Sequence, residues 1–274
     1  MAGIIVGRSE EWDSPIVMNE PACPERDVIM RMINDDRFTV DHAITEICSL
    51  TTAASTEDFQ DNTSSDAGDT HLYRHAERVM LILRNLAAAV PHARQSKLIE
   101  FILHLEKCTI PDPNGGGIVG AGKDTFWTNV PQFSENLVRI IGKGFRRNAD
   151  GVFGPAEENR AAFLAQLFEK RYEACQTIPD WTLSFTSAVF AADLFRPEKG
   201  NIRMFCIWLI YANRKLWLDT HGLNWLAARP EWWEGWRVLL LDCQSNNEAW
   251  CSDEDTQMLI RRALDCMHIT EDEN

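Results

Sequence analysis

One acidic side chain stands out because it lies inside an apolar stretch that is predicted to be helical. Asp193 falls within the run AVFAADLF, and a carboxylate buried alone among apolar side chains is unfavourable, so it should be either paired or functional. Tyr211, Asn213 and Arg214 follow in the next apolar stretch. A structural ion pair between Asp193 and Arg214 is the simpler interpretation. The alternative is an acid–base site, for which Asp193, Arg214 and Tyr211 are the candidate catalytic residues.

Tryptophan is concentrated in the same part of the chain. Eight of the ten tryptophans lie between positions 181 and 250. Helical spacing makes core packing the default role of Trp208 and Trp217. Aromatic walls also bury apolar ligands well. We therefore predict that Trp127, Trp208, Asn213 and Trp217 are substrate-binding residues for a hydrophobic small molecule.

The glycine-rich segment GGGIVGAGKDT has the glycine spacing of a phosphate-binding loop but lacks its other requirements. Gly115, Gly117 and Gly120 satisfy the pattern GxGxxG. Asp124 stands where such a loop carries a hydroxyl, and it would repel phosphate. The preceding KCTIPDPN is not a buried strand, which the mechanism needs. The segment is predicted to be a connection, and no cofactor is expected.

Metal-binding patterns are incomplete. His71 and His75 are four residues apart on a predicted helix, so their rings project from one face. A metal site needs a third ligand, and a hydrogen-bonded histidine pair near a helix start is the favoured interpretation. Asp35 and Asp36 lack the third acid of a magnesium-binding DDxxD motif. No metal is predicted, although the sequence leaves open whether the two histidines bind one.

The composition excludes several classes of partner. The chain has 41 acidic and 27 basic residues, and its formal net charge is −14. Nucleic acid is bound by clustered lysine and arginine, so we expect no nucleic-acid partner and no anionic membrane surface. The apolar stretches are shorter than the roughly 20 residues of a membrane span, and the N-terminus has no basic leader. The eight cysteines form no CxxC pair, which fits a reducing, cytoplasmic location. The oligomeric state stays open.

The periodicity predicts an all-α fold, because apolar residues recur at three and four positions almost everywhere. We expect a single compact multi-helix domain of about eight to ten helices over residues 25–274, after an N-terminal extension over 1–24. The Ser- and Asp-rich stretch 54–69 is predicted to be a mobile loop. The predicted helices cover 25–34, 40–50 with Thr39 as cap, 70–90, 92–107, 132–144, 156–175, 181–195, 202–219, 231–243, and a last one from a Ser252 cap to His268.

Four stretches carry a resemblance to known proteins: LRNLAAAVPHARQSKLIEFI, FWTNVPQF, ENRAAFLAQL and FCIWLIYANRKLW. Their order, over roughly residues 72–268, resembles a family of uncharacterised, fungal, all-helical proteins known only as a domain of unknown function. In the third stretch this chain has Ala161 where the family tends to have a second asparagine. The resemblance implies a fungal source and a helical fold, and it carries over no catalytic residue. Some members lie near natural-product genes, which implies a role in secondary metabolism.

Two functions of different classes follow. The first is a cofactor-independent enzyme of the cyclase or isomerase type, acting on a hydrophobic small molecule in fungal secondary metabolism through shape, exclusion of water and a few polar groups. The alternative is a non-catalytic adaptor that docks a partner through its acidic surface and the C-terminal cluster Trp225, Trp232, Trp233 and Trp236, of which the last three would form an exposed patch. An enclosed cavity would favour the enzyme, and exposed tryptophans over a solid core would favour the adaptor.

Overall fold

A computed structural model describes residues 23–61, 71–110, 127, 153–170, 199–221, 230–245 and 253–273. Within these ranges there are nine α-helices, one 3-10 turn and no β-strand, so the all-α prediction is confirmed. The helices are α1 (Pro24–Asn34), α2 (Val40–Asp61), α3 (His71–Ala89), α4 (Ser96–Leu105), α5 (Pro155–Lys170), α6 (Lys199–Tyr211), α7 (Asn213–Thr220), α8 (Pro230–Ser245) and α9 (Glu254–Glu273), with the 3-10 turn at His92–Arg94.

The chain divides into two compact units, residues 1–143 and residues 144–274. The first contains α1 to α4, and the second contains α5 to α9. The single domain expected from the sequence stays a prediction. The predicted N-terminal extension lies almost entirely outside the described residues.

In the first unit, α2 packs against α1, α3 and α4. The apolar positions recur every three or four residues, so one face of each helix is buried. Ile29, Ile47, Leu83 and Phe101, one from each helix, are all completely buried. Burial of each such side chain stabilises the fold by roughly 1.5–3 kcal/mol. Pro24 begins α1, as predicted. Proline lacks a backbone N–H, and at this position an N–H would have no partner within the helix.

Helix α2 is longer than the sequence predicted. The polar stretch 54–69 was expected to be a loop, but the chain is helical as far as Asp61. Within that stretch, the hydroxyl of Thr56 donates to the carbonyl of Thr52, four residues earlier, at 2.9 Å, so this polar side chain is satisfied within the helix. The loop prediction is wrong for residues 54–61. The rest of that stretch lies outside the described residues.

A side chain near the end of α2 caps the start of α3. The carboxylate of Asp58 accepts hydrogen bonds from the backbone N–H groups of His71, at 2.6 Å, and Leu72, at 3.0 Å. The first N–H groups of a helix have no partner within it, so Asp58 acts as a cap from a distant part of the chain.

In the second unit, α6 packs between α5 and α9. Phe163 and Met204 are completely buried, and Trp208 is 2% exposed. The sequence predicted one helix over 202–219, but the chain bends at Ala212 (φ −134°, ψ 24°) and divides into α6 and α7. Backbone hydrogen bonds continue on both sides of the bend.

The last helix differs at both ends from its prediction. Asp253 is its cap, since its carboxylate accepts the N–H of Thr256 at 3.0 Å; the predicted cap was Ser252, one residue earlier. The helix continues to Glu273, beyond His268. The helices predicted over 132–144 and 181–195 lie outside the described residues.

Candidate functional site

Glu169 lies near the end of α5 and is half-buried. Its Oε2 accepts a 3.1 Å hydrogen bond from the backbone N–H of Lys215, which is in the first turn of α7. The first turn of a helix carries partial positive charge on its free N–H groups. The Glu169 carboxylate therefore interacts with a backbone N–H at the start of α7.

The surroundings change the acidity of Glu169. Burial raises the pKa of the Glu169 carboxyl, and the Lys215 N–H together with the positive charges of Arg214, Lys170 and Lys215 opposes that effect without cancelling it. A carboxyl whose pKa is raised keeps its proton closer to neutral pH than an ordinary glutamate does. It is thereby suited to give and take a proton in a reaction.

A buried cation and two aromatic rings pack together near the end of α5. Lys215 is only 4% exposed, and its Nζ lies 4.6 Å from the centroid of the Phe168 ring. Phe168 in turn meets Trp208 edge to face, with ring centroids 5.8 Å apart. An ammonium over a ring face is attracted to it, which helps to compensate for its burial. We call Phe168, Glu169, Trp208, Arg214 and Lys215 the Glu169 cluster.

Two of the residues predicted from sequence belong to this cluster. Trp208 supplies its aromatic wall, and Arg214, which is exposed, acts electrostatically on Glu169. The predicted partner of Arg214 was Asp193, which lies outside the described residues. Arg214 lowers the pKa of Glu169 through its positive charge. The Asp193–Arg214 pair stays a prediction.

Tyr211 and Asn213 face α9. The side-chain amide of Asn213 donates to the carbonyl of Cys266 at 3.3 Å. Burial raises the pKa of the Tyr211 hydroxyl, while the charge of Arg262 and a hydrogen bond with it oppose the change. These contacts fasten α6 and α7 to α9. The catalytic role of Tyr211 and the substrate-binding role of Asn213 stay predictions.

The other predicted wall residues have different neighbours. Trp217 stacks on His221 with ring centroids 3.5 Å apart and meets Trp233 edge-on at 5.2 Å. Trp127 belongs to the first unit, where it is completely buried with its ring 5.7 Å from that of His75. Of the predicted aromatic wall, only Trp208 therefore belongs to the Glu169 cluster.

Trp232, Trp233 and Trp236 do not form the exposed patch that the adaptor hypothesis used, and Trp225 lies outside the described residues. Trp233 and Trp236 are 2% and 8% exposed, whereas Trp232 is 39% exposed. The indole N–H of Trp233 donates to Glu271 on α9 at 2.8 Å. Positions 233 and 236 share the face of α8 that packs on α9, and position 232 does not. The expected three-residue docking cluster is corrected to a single exposed tryptophan.

A second polar cluster lies in the core of the first unit. His75 Nδ1 is 2.9 Å from Glu25 Oε1, and His75 Nε2 is 3.0 Å from the hydroxyl of Thr51. This hydroxyl–imidazole–carboxylate order is that of a nucleophilic triad. Thr51 is completely buried, however, and its hydroxyl donates to the carbonyl of Ile47 at 2.8 Å. A substrate has no access to that hydroxyl, so the cluster joins α1, α2 and α3 rather than forming an active site.

The carboxylate of Glu25 is ionised in this cluster. Burial alone raises its pKa, but the hydrogen bonds from His75 and from its own backbone N–H and the charges of Arg78 and His75 outweigh burial and lower the pKa to about 2. Arg78 Nε donates to Glu25 Oε1 at 3.0 Å. The cluster is therefore an ion network between helices.

The histidine pair predicted as a possible metal site is split between two roles. His75 has both ring nitrogens within hydrogen-bonding distance of Glu25 and Thr51, while His71 pairs with Glu57 at 3.2 Å. Among the residues that the structure describes, no group of three histidine, cysteine or acidic side chains could hold a metal ion.

Sequence reasoning missed Glu169 and Lys215. Lys215 had a detectable signal, because it lies between the apolar run FCIWLIYA and the pair Leu216–Trp217, where a buried lysine needs compensation. Glu169 had none, since it occupies the end of an amphipathic helix like any solvated glutamate. Its environment arises only from the packing of α5 on α6 and α7.

The protein is all-helical, and its second unit contains the Glu169 cluster, in which a half-buried carboxyl, a buried lysine and aromatic rings lie together. The family described as "Protein of unknown function (DUF3632)" matches residues 81–241, more than half of the chain, and the chain belongs to that family. This confirms the resemblance to an uncharacterised family. No curated protein and no solved structure matches the chain. No helix in the described ranges has the length and apolar character needed to cross a membrane.

Proposed function

We propose that this protein is a cofactor-independent enzyme of the cyclase or isomerase type, and that Glu169 is its acid–base group. The observation that carries the proposal is the half-buried Glu169 carboxyl, whose pKa is raised by burial beside the buried Lys215. Structural ion networks perturb pKa values too, but they usually lower those of carboxyls, as happens at Glu25. A raised pKa instead keeps a proton available for transfer.

The neighbouring groups suggest the substrate class. Arg214 is exposed and offers positive charge for an oxygen on which negative charge develops. Phe168, Trp208 and Lys215 are at most 4% exposed, so they support the cluster from the core side. A small molecule that carries a carbonyl or hydroxyl fits this arrangement. Proton transfer at a carbon next to a carbonyl would then be the reaction type, as in an isomerisation or a ring closure. The fungal source and the natural-product substrate belong to the same proposal and rest on the family resemblance.

The experiment combines binding with turnover. The full chain is heated with a panel of terpenoid alcohols and aldehydes and aromatic polyketides, and each compound that raises the melting temperature is tested for conversion by mass spectrometry. A ligand present at one hundred times its Kd stabilises by about 2.7 kcal/mol, which should raise the melting temperature by roughly 5 °C or more. A panel in which no compound stabilises the protein would count against the proposal.

A second candidate function has one observation in its favour. The large apolar side chains that are exposed in the described part of the chain are Trp232, Val238, Leu241, Met258 and Ile269, and all lie on α8 and α9. A contiguous exposed apolar surface is typical of a contact with another protein. The alternative proposal is therefore an adaptor that uses the outer faces of α8 and α9, and not the buried Trp233 and Trp236.

A further inference from the structure

Helix α9 carries a line of four exposed side chains along one face. Met258, Arg262, Asp265 and Ile269 are spaced four, three and four residues apart, so they follow one another along about three turns of the helix. Met258 and Ile269 are 48% and 55% exposed, and Arg262 and Asp265 are exposed as well. We call these four residues the α9 row.

The opposite face of α9 is occupied within the chain. Its side chains at positions 259, 260, 263 and 267 are buried, and the helix packs against α6, α7 and α8. Arg262 lies at the edge of this packed face, where it bonds with the Tyr211 hydroxyl. Within the described ranges neither Arg262 nor Asp265 forms an ion pair. The apolar side chains and the charges of the α9 row are therefore available to a second molecule.

The order of residues in the α9 row is complementary to itself. If two copies of α9 lie antiparallel about a two-fold axis, Met258 of one copy faces Ile269 of the other, and Arg262 faces Asp265, because both pairs have their midpoint between positions 263 and 264. Each contact occurs twice, which gives two apolar pairs and two ion pairs. A parallel arrangement would place every charge opposite its own kind, which is unfavourable.

We propose that two copies of this chain associate through the α9 row, antiparallel and about a two-fold axis. The charges favour a second copy as the occupant, because the row itself supplies the opposite charge at each facing position. The row is only about 16 Å long, so the interface is at the small end of the range for specific complexes, and the dimer depends on concentration. The proposal uses α9 alone and does not depend on the role of Glu169.

The test is analytical ultracentrifugation of the full chain over a wide range of concentrations. We expect a monomer–dimer equilibrium in which added salt lowers the dimer fraction, because salt screens the ion pairs. Arg262→Asp places two carboxylates opposite each other, and Asp265→Arg places two guanidinium groups opposite each other. Each variant should weaken the dimer at least about tenfold. In Arg262→Asp/Asp265→Arg the charges are exchanged, and dimerisation should return.

Recovery in the double variant separates self-association from binding of an unrelated protein, which an exchange of charges would not restore. Arg94→Asp is the matched control, since Arg94 is an exposed arginine in the 3-10 turn of the first unit, and it should leave the dimer unchanged. Melting temperatures check the fold of each variant, and Asp265→Arg retains the Arg262 side chain that bonds with Tyr211. The proposal is overturned if the wild type stays monomeric at every concentration, if either charge reversal leaves the dimer intact, or if the double variant does not recover it.

Discussion

The backbone N–H of Lys215 donates a 3.1 Å hydrogen bond to the carboxylate of Glu169, which joins the end of α5 to the first turn of α7. This contact places an ionisable group at the start of a helix whose buried Lys215 side chain lies over the Phe168 ring. Replacing the Glu169 carboxylate should raise the stability of the protein but lower its activity, so the two effects can be measured separately.

Glu169→Gln should stabilise the protein increasingly as the pH rises. Because the folded-state pKa of Glu169 is raised, its stabilising contribution is complete below its ordinary value of 4.5 and is lost as the pH rises through the folded-state pKa. Glutamine imitates the protonated form and can still accept the Lys215 N–H. The difference in melting temperature between the variant and the wild type should therefore grow from pH 4.5 upward. Glu231→Gln, an exposed residue in the first turn of α8, should show no such trend.

Glu25→Gln should destabilise the protein. It removes the carboxylate that His75 and Arg78 contact in the core, and breaking a buried ion pair costs about 3–5 kcal/mol. Chemical denaturation at pH 7 measures this loss. Glu46→Gln is the control, because Glu46 pairs with Arg31 at the surface and such pairs contribute about 0–1 kcal/mol. Equal effects of the two variants would contradict the assignment of Glu25 to a buried network.

The same network predicts acid sensitivity. The pKa of Glu25 is lowered to about 2 in the folded protein, so its contribution is complete above its ordinary value of 4.5 and is lost as the pH falls towards 2. Over that range we expect the wild type to lose about 3 kcal/mol through this group, by the conversion of pKa difference into free energy. The Glu25→Gln variant should lack this part of the decline in denaturation curves recorded at successive pH values.

Neighbouring tryptophans on α8 should respond very differently to removal. Trp233→Ala should destabilise by about 3–5 kcal/mol, because the ring is buried against Trp217 and its N–H is bonded to Glu271. Trp232→Ala should change stability by about 1 kcal/mol or less, since surface substitutions rarely do more. Urea denaturation measures both losses of unfolding free energy. If the two variants lost the same amount, Trp233 could not be the buried residue and Trp232 the exposed one.

The sequence predicted the helices well and the site only in part. Periodic apolar residues and the proline at the start of α1 determine local structure, and they located α1, α3, α4 and α8 within a few residues. The length of α2 was missed, because a threonine that bonds to the helix backbone, as Thr56 does, cannot be distinguished in sequence from a loop residue. Glu169 was missed because a carboxyl acquires its environment from tertiary packing. Trp208 was found because an aromatic residue in an apolar helix is informative by itself.

The adaptor alternative has its own test. Val238→Lys places a charge on the outer face of α8 and should leave the melting temperature unchanged, because Val238 is 55% exposed. If that face binds a protein partner, the variant should lose a partner that co-purifies with the wild type. Gln244→Lys, at an exposed polar position on the same helix, should keep it. Retention of the partner by both variants would exclude this face.

The most direct measurement is the rate at which the wild type and Glu169→Gln convert a panel compound that stabilises the wild type, with Glu231→Gln beside them. Loss of a general acid–base group lowers rates by about 10²–10⁴-fold. We expect a decrease of that size in Glu169→Gln, whose fold should be intact, and an unchanged rate in Glu231→Gln. Conversion by Glu169→Gln at the wild-type rate would contradict the assignment of Glu169 as the acid–base group.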